Sequence, residues 1–203
     1  MTSIAVLDYD SGNLHSVARA LERVGADVRV TDDGGEAART DAVLVPGVGH
    51  FGACMRSLAM RGLDVVVRDA VASGRPVFGV CVGLQVFLNG SEEDTEEGIG
   101  VLEGTSRLLT GEIKVPHMGW NEVAWTAAHP YTAQLPSGTR FYFVHSYAPD
   151  ADTPGTIGTT EHGRVFASVL ARDNVFATQF HPEKSGEAGL QLYETFVKEA
   201  GSR

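Results

Sequence analysis

Pro76-Val77-Phe78-Gly79-Val80-Cys81-Val82-Gly83-Leu84-Gln85 is the stretch on which the fold class of this chain turns. Residues 76–80 make an apolar run of strand length, and residues 84–88 open a helical pattern. Between them, Gly79-x-Cys81-x-Gly83 has the form of a tight strand-to-helix elbow with a nucleophile at its tip. The glycines suit a strained backbone and a close approach of neighbouring strands. Helix N–H groups and the positive end of the helix dipole stabilise a thiolate, whose ordinary pKa is about 8.5. A lone cysteine in a glycine-rich turn is equally at home as a buried small hydrophobe. The motif therefore needs a partner elsewhere in the chain.

Outward from the elbow, the first half alternates strand and helix. Residues 3–9 read as a buried strand, followed by the polar turn Asp10-Ser11-Gly12-Asn13. Leu14, Val17, Ala18, Leu21 and Val24 then recur at helical spacing, and Gly25 stops the helix. Residues 28–31 and 42–45 predict strands, the second halted by Pro46-Gly47-Val48-Gly49. Residues 51–72 predict helix with a break near Gly62. Such alternation is the pattern of a parallel α/β sheet. In the second half, residues 140–147, 155–160, 165–170 and 175–180 predict short strands joined as antiparallel hairpins. Residues 186–200 predict a closing helix, residues 91–97 an acidic surface stretch, and Pro116 to Asn121 a polar loop. The expectation is one domain over 1–203, with a central mixed, mostly parallel sheet flanked by helices.

The partner for Cys81 lies in Phe180-His181-Pro182-Glu183-Lys184. Pro182 restricts His181 to extended backbone, and residues two apart in an extended segment point the same way. His181 would face Cys81 while Glu183 orients the imidazole. Thiol, imidazole and carboxylate are the equipment for covalent acyl transfer by a thiolate. His145, in Phe143-Val144-His145-Ser146-Tyr147, is the rival base, ranked lower because it has no carboxylate two residues away. His15, His50, His129 and His162 lie near turns and read as solvated. Backbone N–H groups at Val48 and Val82 are candidates for an oxyanion hole. Val48 lies between two glycines, so its peptide could take either of two orientations. Cys54, among small residues, reads as structural.

Composition limits the alternatives. Of 203 residues, 43% are hydrophobic and 21% charged, enough for one buried core. The net charge of -10 argues against nucleic acid, which needs basic phosphate-contacting surface. The two cysteines form no disulfide framework, and no His/Cys/Asp/Glu spacing suggests a metal. No signal peptide and no stretch long enough to span a bilayer is present in the sequence, so a soluble cytoplasmic protein without metal or cofactor is expected.

GVCVGLQ, PGVG and QFHPE, in this order, resemble the signatures of class I glutamine amidotransferases. DYDSGNLHSV, VPGVGHFGACM, VPHMGWNEV, YFVHSYAP and ATQFHPEKSG narrow the resemblance to the family of glutaminase subunits of imidazole glycerol phosphate synthase, over nearly the whole chain. Val82 and Leu84 stand where Leu and Met are common, and Asp10 where Gly is frequent; none of these departures touches the triad.

The resemblance implies a flavodoxin-like fold and the release of ammonia from glutamine through a thioester on Cys81, with His181 and Glu183. It implies that Gly49, Gln85, Ser146 and Tyr147 hold glutamine. A separate (β/α)8-barrel cyclase subunit would form the heterodimer, with Pro116, Gly119, Trp120, Asn121 and Lys184 at the interface. The ammonia would yield imidazole glycerol phosphate and aminoimidazole carboxamide ribonucleotide in histidine biosynthesis. The competing readings are an amidotransferase subunit serving another acceptor, a general thiol hydrolase, and a non-enzymatic regulatory subunit.

Overall fold

The computed structural model describes residues 1–202. In chain order its elements are β1 (Ser3–Leu7), α1 (Leu14–Arg23), β2 (Asp27–Thr31), α2 (Gly34–Ala37), β3 (Ala42–Val45), α3 (Phe51–Met60), α4 (Leu63–Ala72), β4 (Val77–Val80) and α5 (Val82–Phe87). There follow β5 (Gly90–Ser91), β6 (Asp94–Glu97), β7 (Thr105–Leu108), β8 (His117–Trp125), β9 (Thr139–His145), β10 (Tyr147–Pro149), β11 (Thr156–His162), β12 (Arg164–Arg172), β13 (Val175–Thr178) and α6 (Gly186–Ala200).

A nine-stranded mixed sheet runs β2-β1-β3-β4-β13-β12-β11-β8-β9. From β2 to β13 neighbours are parallel, and from β13 to β9 they are antiparallel. A smaller sheet, β10-β7-β5-β6, lies beside it. The strands β1, β3, β4 and β13 are buried almost throughout, as expected where helices cover both faces of a parallel sheet. Phe78 of β4 meets Phe176, Tyr193 and Phe196 at ring separations of 5.0, 5.6 and 5.2 Å, which packs α6 onto the sheet. Each such pair adds about 0.5–1.5 kcal/mol beyond burial. Among the described residues no helix is long and apolar enough to cross a membrane.

Several expectations need correction. Residues 117–125 form a strand, not a loop. His117, Gly119, Asn121 and Val123 alternate with the exposed Met118, Trp120 and Glu122. The inward positions are largely polar and satisfied by hydrogen bonds, so the hydrophobic alternation that announces a strand is missing. The run 140–147 is divided between two sheets, because β9 ends at His145 and Tyr147 starts β10. The acidic stretch 91–97 contributes a hairpin, and Glu93 within it accepts the N–H of Phe51 at the start of α3. Strand β13 ends at Thr178, so Phe180 is not in it; its ring stacks on Phe141 at 4.0 Å instead.

Candidate active site

Four loops meet at the C-terminal edge of the adjacent parallel strands β1, β3, β4 and β13, where α/β sheets bind ligands. Cys81 leaves β4 with φ 56° and ψ −108°. A non-glycine residue held there stores about 1–3 kcal/mol of strain. The flanking glycines make the bend sterically feasible. A Cβ on Gly83 would sit 2.0 Å from the Val45 carbonyl oxygen, and one on Gly79 would meet Phe87 at 2.6 Å. The Cys81 N–H donates to Thr178 O at 2.7 Å, tying the elbow to β13.

His181 is held from three directions. Its N–H donates to Tyr142 O at 2.9 Å, its carbonyl accepts the Ser185 hydroxyl at 2.6 Å, and Phe180 anchors the preceding turn. Its Nδ1 lies 2.7 Å from Glu183 Oε1, with both side chains almost completely buried. This pairing does not arise from an extended segment. His181 itself is extended, but Pro182–Lys184 is a turn of 3-10 helix that swings Glu183 back under the ring. Nε2 makes no hydrogen bond and is buried. Burial lowers the imidazole pKa, but Cys81 and Glu183 outweigh it and raise His181 to about 10. The imidazolium is therefore the favoured partner of a sulfur anion.

His145 is excluded as the base. Its Nδ1 is 2.9 Å from Tyr147 O and its Nε2 3.0 Å from His117, so both ring nitrogens are occupied. Among the other histidines, His15 and His50 are exposed as expected. His129 and His162 are half-buried, the first against Phe176 at 5.1 Å and the second stacked on His117 at 4.2 Å.

A cavity of about 260 Å³ opens over Cys81. Its lining includes Val48, Gly49, Val82, Gln85, Pro116 and Val144 to Tyr147. Gln85 Nε2 donates to Tyr147 O at 3.0 Å and to Gln179 Oε1 at 3.1 Å. Gln179 Nε2 in turn donates to Cys81 Sγ at 3.7 Å. The two candidate oxyanion donors are engaged elsewhere. Val48 N–H donates to Ser11 Oγ at 2.9 Å, and Val82 N–H to Gly47 O at 3.4 Å. Buried backbone donors rarely stay unpaired, so in this conformation the Gly47–Val48 segment closes over the site that the sequence assigned to an oxyanion.

Residues not singled out beforehand complete the arrangement. Among the described residues Glu93 is the one carboxylate lining the cavity. Asn13 stands at the N-cap of α1 in the left-handed region, yet its side chain makes no cap. Its Nδ2 donates to Glu183 Oε1, and Tyr193 OH donates to Glu183 Oε2 at 3.4 Å. A capping residue turned away from its helix was legible as the polar turn 10–13, but its target was not. Trp120 packs edge-on against Tyr142 at 6.2 Å, and Lys184 Nζ lies 5.9 Å over the same ring. Trp120 is 50% exposed and Met118 64%, an apolar patch on the outer face of β8. A wider open groove of about 640 Å³ along Trp125 to Ala133 shares no residue with the cavity. No group of three or more His, Cys, Asp or Glu side chains among the described residues is placed to hold a metal ion.

The model of the family described as glutamine amidotransferase class-I matches residues 5–200. The chain belongs to this family. Imidazole glycerol phosphate synthase subunit HisH of Acinetobacter baylyi is 47% identical to the amidotransferase over 203 residues, covering 98% of each chain. The subunit of the same name from Halobacterium salinarum is 45% identical over 204 residues, covering 96% of this chain and 92% of its own. Among solved structures, a glutamine amidotransferase superposes with a TM-score of 0.76 at 19% identity, covering 98% of both chains. PurLQS of Thermotoga maritima gives 0.76 at 18%, with the same coverage. At these identities the structures support the fold alone, and the α/β architecture of the amidotransferase is theirs.

Proposed function

We propose that this chain is the glutaminase subunit of imidazole glycerol phosphate synthase, hydrolysing glutamine and passing ammonia to a (β/α)8-barrel cyclase subunit in a heterodimer. One observation carries the chemistry: the Cys81 elbow faces a buried imidazole whose far nitrogen is fixed by Glu183 at 2.7 Å. The names of relatives 41–47% identical over nearly the full chain carry the choice of synthase.

The Cys81 thiolate attacks the side-chain amide carbon of glutamine. The carbonyl π pair moves to oxygen, and the oxyanion is met by backbone N–H groups at Val48 and Val82 once Gly47–Val48 has moved aside. As the tetrahedral adduct collapses, His181 Nε2–H protonates the leaving nitrogen, releasing ammonia and leaving a thioester. Neutral His181 then takes a proton from water, whose oxygen attacks the thioester, and glutamate leaves with the thiolate restored. Glu183 holds the ring by Nδ1–H throughout, and Asn13 and Tyr193 hold Glu183. Gly49, Gln85, Ser146 and Tyr147 shape the wall against the amino-acid end of the substrate, and Glu93 supplies the negative charge for its ammonium group. A cavity of about 260 Å³ suits a single amino acid. Pro116, Trp120 and Lys184 belong to the docking face, while Gly119 and Asn121 lie on the inner side of β8 behind it.

The test is to combine the chain with a purified cyclase subunit and follow imidazole glycerol phosphate formation from glutamine and from free ammonia. Cys81→Ala abolishes the glutamine-dependent reaction by several orders of magnitude and spares the ammonia-dependent one. Retained glutamine turnover in Cys81→Ala, or ammonia accepted only by synthases of other pathways, overturns the reading.

A further inference from the structure

Behind the Ser146–Tyr147 wall runs a line of hydrogen bonds that the triad does not use. Asn121 Oδ1 accepts the N–H of Glu122 at 2.8 Å, and Nδ2 donates to Glu161 O at 2.9 Å, which fixes the orientation of the amide. The same Nδ2 lies 3.1 Å from His117 Nε2. His117 Nδ1 lies 3.0 Å from His145 Nε2, and His145 Nδ1 lies 2.9 Å from Tyr147 O. The line thus joins β8, the strand with Met118 and Trp120 on its outer face, to the wall of the cavity.

Both ends of the line can act in one way only. A carbonyl oxygen accepts, so His145 carries its proton on Nδ1. An amide nitrogen donates, so His117 Nε2 offers a lone pair. The central bond is then satisfied by one assignment: His117 Nδ1–H donates to the lone pair of His145 Nε2. Both rings are neutral, and both are the Nδ1–H tautomer. A proton added to either ring sets two donors face to face somewhere along the line. The surroundings agree with neutrality. His117 is stacked between Phe143 at 4.8 Å and His162 at 4.2 Å, and burial holds His117 at about 4 and His145 at about 3.

The far end of the line bears on the wall itself. Tyr147 O receives Gln85 Nε2 as well as His145, and Ser146 O receives the N–H of Leu109 at 2.9 Å. The position of this wall therefore depends on these donors. We propose that His117 and His145 are positioning residues, a one-way relay of two neutral imidazoles that holds the Tyr147 carbonyl in register with Asn121 on the inner face of β8, the strand whose outer face bears Trp120. The identity of ligand and partner rests on the functional reading above; the relay rests on the geometry alone.

Long-range 1H–15N correlation spectra of the full labelled chain read the tautomers directly, with His117 and His145 assigned from single substitutions. The expected result is a neutral Nδ1–H ring at both positions at about pH 7 and still at about pH 5.5, where a free histidine is mostly charged. An Nε2–H tautomer or a charged ring at either position under these conditions overturns the relay. A second measurement separates positioning from general stability. His145→Asn keeps an N–H where the Nδ1–H stands, and His145→Leu removes it. In the complex, His145→Leu raises the KM for glutamine about tenfold, the value of one lost hydrogen bond of about 1.4 kcal/mol. The KM of His145→Asn rises less than that of His145→Leu, because the Nδ1–H contact to Tyr147 O is retained, and the Tyr147 carbonyl 13C resonance moves further in the Leu variant. Equal loss in both variants, or none in either, overturns the positioning role. A wild-type complex inert towards glutamine, but with both Nδ1–H signals present, overturns the functional reading and leaves the relay standing.

Discussion

Ser11 grips the Val48 peptides from both sides: its hydroxyl oxygen accepts the Val48 N–H at 2.9 Å and donates to the Val48 carbonyl at 3.1 Å. Tyr9 OH donates to Pro46 O just upstream, so the start of the segment is anchored, while at Val48 the Ser11 hydroxyl is joined only by the Cys54 thiol, 3.7 Å from the same carbonyl. An N–H turned towards Ser11 cannot serve an oxyanion over Cys81. Losing one oxyanion donor costs roughly 10²–10³ in rate.

The isolated chain is therefore expected to be a weak glutaminase, strongly stimulated by the cyclase subunit with its ligand. Ser11→Ala leaves the Val48 N–H unpaired in the closed form and so favours release. It raises the unstimulated rate by up to about tenfold, equivalent to one hydrogen bond, and shrinks the stimulation by the same factor. Glutamate release measured alone, with partner, and with partner plus ligand checks this; equal wild-type rates in all three would remove the gate and not the triad.

Alkylation of Cys81 reports on the pairing with His181. His181 keeps its proton up to about pH 10, so the imidazolium is present throughout the neutral range. At about pH 7 iodoacetamide should modify the wild-type chain faster than His181→Asn, which lacks the imidazolium beside the sulfur. Glu183→Gln should fall between them, because an amide oxygen still accepts the Nδ1–H. Identical rates in all three would separate Cys81 from the imidazole.

The docking face is testable without touching the triad. Trp120→Ala and Lys184→Ala remove the two groups that flank Tyr142. Central aromatic anchors carry about 2 kcal/mol or more at interfaces. Each variant should weaken binding of the cyclase about tenfold or more and reduce stimulation at limiting partner, with the alkylation rate of Cys81 in the free chain unchanged. Calorimetric titration gives the affinity, and unaltered affinity in both would move the interface elsewhere.

Acid should destabilise the fold in part through His145. Its folded pKa is lowered to about 3 by burial, with His117, His162 and His181 opposing its charge and the Tyr147 carbonyl favouring it. Between about pH 6.5 and 3 the unfolded chain binds the proton that the folded chain refuses, so stability falls as pH falls. At about pH 5 this term amounts to about 2 kcal/mol. Urea unfolding of the wild type and His145→Leu at about pH 7 and 5 should show a shallower pH dependence in the variant; parallel dependences would mean that His145 accepts its proton freely when folded.

How far the sequence carried is best judged at particular residues. The elbow at Cys81 was legible because its requirements are local: a nucleophile on a bend needs glycines on both sides, and the positions of Gly79 and Gly83 are set by contacts with Phe87 and Val45. The order of strands and helices in the first half was legible because β1, β3 and β4 are buried on both faces and read as continuous apolar runs. His181 and Glu183 do lie within hydrogen-bond distance, and the turn at Pro182–Lys184, not an extended strand, brings them together. By contrast β8 was read as a loop. Its inward side chains, His117 and Asn121, are polar groups whose burial is acceptable only because His145, Tyr147 and Glu161 satisfy them from other strands. The same is true of Ser11 against Val48, Asn13 against Glu183 and Glu93 at the cavity wall. Apolar periodicity and turn chemistry are properties of neighbouring residues and are written along the chain. A hydrogen bond between residues 37 or 170 positions apart is not, because its direction and partner exist only once the sheet has brought the two ends together.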